Sequence, residues 1–297
     1  MRTIENFRLL GKLFLLVSVL AGCGTNDLPD YFLLDRLRVV SANTTGAAAE
    51  FSAGDAGIQV AFHVSDSAGA GRSLTYSIDA CVDPGIGIGA KPGCSGNPTR
   101  ISLISGAIFN NSGNATASYS GVITSPVFSI PAAGIIFIDP KSGSPRAAYA
   151  QANGVAYLVV LSISASATES LTAFKRVIVS TRAMKNQNPA FGSPALTFGG
   201  GDPATYPLTT AAFTTNSVAT AGSAETYTVQ DANGGSTALT EKLTVTWLVT
   251  AGTIKYTRTD PGVENRYVPA DPLPPHTSFI GILRDDRGGE TFVQFDK

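Results

Sequence analysis

Cys23, Cys81 and Cys94 are the three thiols of this 297-residue chain, and His63 and His276 are its two imidazoles. An odd number of thiols cannot pair completely, so if Cys23 is consumed by other chemistry an even pair remains. Hydrolysis would need a serine in a GxSxG elbow with a histidine in reach. No GxSxG occurs, and the two histidines fall in separate halves of the chain. Zinc hydrolysis would need an HExxH helix, which is also missing. Both histidines are therefore expected at the surface, His63 on the polar face of a strand and His276 in a loop after Pro274-Pro275. The run GIGIG, Gly85 to Gly89, imitates a phosphate loop, but a real one sits between a strand and a helix, whereas this one sits between two cysteines and lacks the spacing. Two acidic turns are the places to look for calcium: QDANGG with Asp231 and Asn233, and RDDRGGE with Asp285, Asp286 and Glu290. Calcium takes roughly six to eight oxygens, more than either turn supplies, and Arg287 stands inside the second. Asp, Asn and Gly are also ordinary hairpin residues. Asp83 and Asp139 each precede a proline and read as turn starters. The expectation is a chain that is not an enzyme, with no catalytic residue, no metal and no cofactor.

The flanks of Cys23 carry the strongest chemical signal. Arg2, Arg8 and Lys12 make a positive start, and Leu13 to Ala21 is an apolar run. A membrane-spanning helix needs roughly twenty such residues, so this run reads as a secretory signal. The end of the run, Leu20-Ala21-Gly22-Cys23, resembles the lipobox of bacterial lipoproteins. That resemblance implies a thiol that accepts a diacylglycerol, cleavage before Cys23, and acylation of the new amino terminus. Two or more acyl chains hold a protein stably where one does not. Gly24, rather than Asp, follows the cysteine, which in Gram-negative lipoproteins implies the outer membrane. An exported chain meets an oxidising compartment. Cys81 and Cys94 bracket the Gly/Pro-rich loop VDPGIGIGAKPG with no CxxC and no nearby histidine. They are expected to form a disulfide rather than a metal site.

The elements that must position these groups are strands. Hydrophobic residues make up 43% of the chain and charged residues only 14%, with a net charge of −1. That balance leaves no basic field for nucleic acid. The length is a prior for about two domains. GIQVAFHV puts Ile58, Val60, Phe62 and Val64 on one face and Gln59, Ala61 and His63 on the other, the period of a half-buried strand. FLLDRLRVV reads as the first strand, and GVAYLVVLSISAS and SLTAFKRVIVSTR as a hairpin about ATE. No amphipathic helix is expected after the signal. AMKNQNPAFGSP, from about Met184 to Pro194, reads as a linker. Beyond it come ALTF, AETYTVQD with the turn ANGG, EKLTVTWLVTAGTIKYTRT, and TSFIGILRD with ETFVQFD about DRGG. Trp247 is expected in the second core. The resulting division is a signal peptide over 1–22, a tether over 23–31, a β-sandwich with an internal disulfide over 32–185, and a second sandwich over 186–297. The short tether places the first sandwich close to the membrane.

Five stretches in order, LLDRLRVV, the strand ending at Cys81, AFKRVIVST running into KNQNP, EKLTVTWLVTAGT, and ILRDDRGG, resemble a group of Ig-like lipoproteins of myxobacterium-like Gram-negative bacteria. The resemblance implies an all-β fold of two tandem Ig-like β-sandwiches and an address in the cell envelope. It also implies an aromatic, typically Trp, just before the first disulfide cysteine, where this chain has Ser77, Ile78 and Asp79 after Tyr76. The expected role is a lipid-anchored structural or adhesive binding module. Its partners would be the membrane, through the lipid, and an envelope protein or polysaccharide. The alternatives are a non-catalytic subunit of an envelope assembly, such as a secretion or motility complex, and an accessory of a carbohydrate-active enzyme.

Overall fold

The computed structural model describes residues 31–66, 72–85, 93–109 and 119–297. Cys23 and its flanks, Ile86 to Pro92 of the cysteine loop, and the stretch from Asn110 to Ser118 lie outside the described residues. The fold is all-β and of the sandwich type. In chain order the first strands are β1 (Arg38–Thr44), β2 (Glu50–Phe51), β3 (Val60–Asp66), β4 (Ser73–Val82), β5 (Ile101–Phe109), β6 (Tyr119–Thr124), β7 (Val155–Ser164) and β8 (Ser170–Val179). They are followed by β9 (Phe191–Phe198), β10 (Phe213–Ala219), β11 (Thr226–Gln230), β12 (Ser236–Thr240), β13 (Thr244–Val249), β14 (Thr253–Ile254), β15 (Arg258–Thr259), β16 (Asn265–Val268), β17 (Ser278–Arg284) and β18 (Glu290–Asp296).

The first core lies between a sheet of order β1-β3-β6 and one of order β2-β8-β7-β4-β5. Val60, Phe62 and Val64 of β3 meet Leu74 and Ile78 of β4, Tyr157 and Val159 of β7, and Val177 of β8. The hairpin about ATE forms, with Val155 to Ser164 paired antiparallel to Ser170 to Val179. The second core lies between sheets of order β14-β16-β10-β9 and β15-β13-β17-β18. Phe198, Phe213, Trp247, Tyr267 and Phe279 pack there. Trp247 is buried as expected, and its indole N–H donates to the Thr259 hydroxyl at 2.8 Å. A buried indole needs such an acceptor.

Four local features depart from the sequence reading. Two helices of one turn or so occur, Ala133–Ile136 and Ala148–Asn153, too short to print a 3.6-residue pattern. The expected linker is strand from Phe191 onward, with Pro194 inside β9. Proline is accommodated because β9 is an edge strand. The expected first strand is divided. Regular pairing with β3 begins at Arg38. Phe32 packs on the second core, and Leu34 N–H donates to Val249 O at 2.8 Å while Val249 N–H donates to Phe32 O at 2.8 Å. Finally, β3 is buried on both faces. Its second face is covered by β18, where Phe292 stacks on His63 with ring centroids 4.0 Å apart.

Cys81 and Cys94 are bonded, with their Cα atoms 5.7 Å apart. The bridge packs on the outer face of the five-stranded sheet against Leu158, Val160 and Phe174. Closing a loop of this length removes denatured-chain entropy worth about 3 kcal/mol. The Cys81→Ser/Cys94→Ser double variant is therefore expected to lose about 3 kcal/mol in urea unfolding, with a similar loss when the unmodified protein is reduced.

Candidate functional site

Charged side chains from several strands and turns converge at the seam between the two cores. An apolar cluster forms its centre: Leu34, Val40, Leu248, Ile280 and Ile282, with Phe292 against it. The reason is visible in β17. Phe279 and Leu283 point into the second core, while Ile280 and Ile282 point the other way, into the seam. A strand covered on both faces has no polar side to show.

Around that apolar centre sits a ring of buried polar groups. Glu50 of β2 has only 1% of its side chain exposed. It takes Arg287 at 2.5 Å, the Asn186 N–H at 3.1 Å and the Ser180 hydroxyl. Arg287 lies in the tight turn between β17 and β18. Its other terminal nitrogen reaches Glu241 at 3.1 Å and Glu225 at 3.5 Å. Glu241 also accepts the Glu225 N–H at 2.9 Å. Burial pushes the Glu241 carboxyl up to about 7, against the opposing pull of that backbone donor and of Arg287. On the far side of the turn, Lys175 donates to Gly288 O at 2.6 Å, and burial lowers its ammonium from the ordinary lysine value. Glu290 accepts from the Ala42 N–H at 2.8 Å and from the Ser41 hydroxyl, and pairs with Arg284.

The expected linker residues stitch this ring. Asn186 is fully buried, and its amide donates to Asp285 at 3.2 Å. The Asn188 amide donates to Thr44 O at 3.1 Å and to Gly46 O at 3.0 Å. One carboxylate in each candidate calcium turn is occupied by its own backbone. Asp231 Oδ1 accepts from Asn233 and Gly235, each at 2.8 Å. Asp285 Oδ1 accepts from Arg287 at 2.9 Å and Gly289 at 2.7 Å. Among the described residues, no group of three His, Cys, Asp or Glu is placed to hold a metal. His63 is not a surface residue. It is half-buried beside Asn43, 3.2 Å from the amide oxygen, and burial lowers its pKa while the Glu290 charge opposes.

Next to the seam a cavity of about 860 Å³ opens between the segment Thr181 to Lys185 and the β11–β12 hairpin. Arg182, Lys185 and Arg287 bring three cations to its walls, against the single carboxylate of Glu225. Tyr227 rises between two of them, its ring 4.6 Å from the Arg287 guanidinium and 5.7 Å from that of Arg182. Burial lowers the pKa of both Arg182 and Lys185. Sequence reading missed this cavity. Arg182 and Lys185 are neighbours in sequence, but Arg287 lies more than a hundred positions away, and no local spacing connects it to them.

No protein-family model matches the chain, and no curated protein matches it. Solved structures with some likeness include the β-glucosidase from Listeria innocua in complex with glucose, at 9% identity and a TM-score of 0.23, covering 48% of this chain and 16% of that one. Red sea bream transglutaminase aligns at 10% identity and a TM-score of 0.26, covering 87% of this chain and 31% of that one. The periplasmic chaperone SfaE aligns at 11% identity and a TM-score of 0.26, covering 86% and 96%. At such scores these likenesses carry no argument about what the chain does.

Two outcomes follow from the seam. Removing Arg287 leaves Glu50 and Glu241 buried without their shared countercharge, so Arg287→Ala is expected to cost about 3–5 kcal/mol in denaturant unfolding. Glu241 holds its proton more tightly folded than unfolded, so its contribution is full below its ordinary carboxyl range and is lost as pH rises to about 7. Unfolding free energy should thus fall between pH 4.5 and 7 by on the order of 2 kcal/mol through this group, and Glu241→Gln should flatten that slope.

Proposed function

We propose that this chain is a lipid-anchored envelope protein whose sandwiches, read as two Ig-like domains, act as a structural or adhesive binding module. The observation that carries the binding half is the cavity beside the seam. It is lined by cations and a tyrosine, is open to solvent, and is held by a seam that fixes its walls. Concave sites with a few convergent polar groups are where ligands bind. The anchor half is supported by the sequence Leu20-Ala21-Gly22-Cys23 behind its positive start and apolar run. With Cys23 as the lipid foot, residues 24–31 give a reach of at most about 28 Å. Because Phe32 and Leu34 dock beside Val249, the link from such a foot runs first to the second sandwich, not to the first. This reading is non-catalytic and needs no cofactor.

Cells expressing the chain and fed radiolabelled palmitate test the anchor. The protein should carry label and begin at Cys23 by mass spectrometry. Cys23→Ala should lose the label and leave the precursor uncleaved. Label on the Ala variant, or a mature chain that begins elsewhere without lipid, overturns the anchor.

A further inference from the structure

The β11–β12 hairpin forms a sheet of two strands only. Its pairing fixes which backbone groups are used. Thr226 lies opposite Thr240 and Gln230 opposite Ser236. Just outside the strands, Glu241 N–H donates to Glu225 O at 2.9 Å, and Asp231 N–H donates to Gly235 O at 2.9 Å. Bonded and non-bonded pairs alternate along an antiparallel ladder. Tyr227 and Val229 therefore bond to β12, and the backbone groups of Thr226, Thr228 and Gln230 point the opposite way. Gln230 confirms the phase. Its N–H donates to the Asn153 side-chain oxygen at 2.8 Å, and its carbonyl accepts from the Asn153 amide at 2.7 Å. Asn153 thus imitates a neighbouring strand for one residue. For Thr226 and Thr228, no described residue supplies a partner to the backbone. Both line the cavity.

The opposite wall carries cations held in place by their own partners: Arg182 lies 3.6 Å from Glu50, and Lys185 donates to Ser180 O at 2.6 Å. The Nε–H groups of Arg182 and Arg287 are buried and have no acceptor among the described residues. Both side chains line the same cavity, beside Lys185. Two strand residues with free backbone donors and acceptors therefore face a wall on which three cations, Arg182, Lys185 and Arg287, and one carboxylate, Glu225, reach the cavity. Extended peptides bind to such edges through main-chain hydrogen bonds, with side-chain pockets adding selectivity.

We infer that the free edge of β11 takes a short extended peptide segment of a partner protein, bonded to the Thr226 and Thr228 backbone, with an Asp or Glu side chain of that segment seated on Arg182 and Lys185. The inference rests on the binding-module reading and deepens it by naming the partner's chemistry. It does not depend on the lipid. Asn153 ends the available edge at Gln230, so the contact is brief, and the carboxylate supplies the selectivity that a short ladder lacks.

The test uses the full chain in detergent micelles, panned against random decapeptides displayed between Gly-Ser linkers. The best-enriched sequence is then synthesised with blocked termini and measured by fluorescence anisotropy. Enriched peptides should share an acidic residue beside alternating β-branched residues. Changing that acid to its amide, or making Arg182→Gln/Lys185→Gln, should weaken binding at least about tenfold. Thr228→Pro removes an outward donor and no ladder bond to β12, and should abolish binding. Ala238→Pro, on the other edge of the hairpin, should not change it. N-methylation of alternate peptide nitrogens should abolish binding to the unmodified protein, whatever the folding of the proline variant. A peptide that binds equally well to the Thr228→Pro and Arg182→Gln/Lys185→Gln variants overturns the edge assignment while leaving a binding module. So does binding of alginate, an acidic polysaccharide, with no peptide enriched. If neither peptide nor alginate binds, this inference and the binding-module reading both fall.

Discussion

One guanidinium organises the molecule. Arg287 sits in the tight turn between β17 and β18 and is shared by Glu50, from the first sandwich, and Glu241, from the second. Buried ion pairs of this kind contribute little net stability compared with apolar residues of the same volume, because desolvation offsets attraction. Losing Arg287 would leave two buried carboxylates without it, which is costly even where the pair itself adds little. The apolar centre of the seam supplies the burial, at about 1.5–3 kcal/mol for each fully buried Leu or Ile. Asn186 and Asn188 tie the crossover segment to both sides.

The same guanidinium links this frame to the cavity. Its π-face contact with Tyr227 and its pairing with Glu225 hold the base of the β11–β12 hairpin. A lone two-stranded hairpin is marginal in water, and β12 is exposed along its whole length. The hairpin stays in place because it is pinned at its base by Arg287 and near its tip by Asn153. A recognition edge can therefore remain open without being loose.

Much of the all-β architecture was legible because period-two alternation and turn residues are local. The pairing of Cys81 with Cys94, the hairpin about ATE and the burial of Trp247 all rest on features within a few residues of one another. The seam was not legible, for a physical reason. Alternation reports which face of a strand is apolar, not whether another sheet covers the other face. His63 looked solvent-facing because its neighbours Gln59 and Ala61 carry no apolar signal, while the ring that covers it, Phe292, lies far along the chain. One clue was present: the unbroken apolar run Phe279 to Leu283 has no polar face and so requires cover on both sides. AMKNQNPAFGSP reads as linker because Asn, Gln, Gly and Pro cluster there and Pro breaks strand pairing. Here Asn186, buried, and Asn188, half-buried, serve as cross-links to Asp285 and Thr44, which no local pattern connects to them, while Gln187 stays exposed. Arg287 counted only as an argument against calcium, since its partner Glu50 is 237 positions away.

The small strap at the start of the body has a mechanical consequence. Leu34 and Phe32 are clipped to Val249 by two hydrogen bonds made to the same residue, at the end of an inner strand of its sheet. A pull on the amino terminus loads both bonds together, in shear, and passes into β13 before it reaches β1. Tension therefore reaches the part of the molecule that has no disulfide among its described residues before it reaches the part stapled by Cys81 and Cys94.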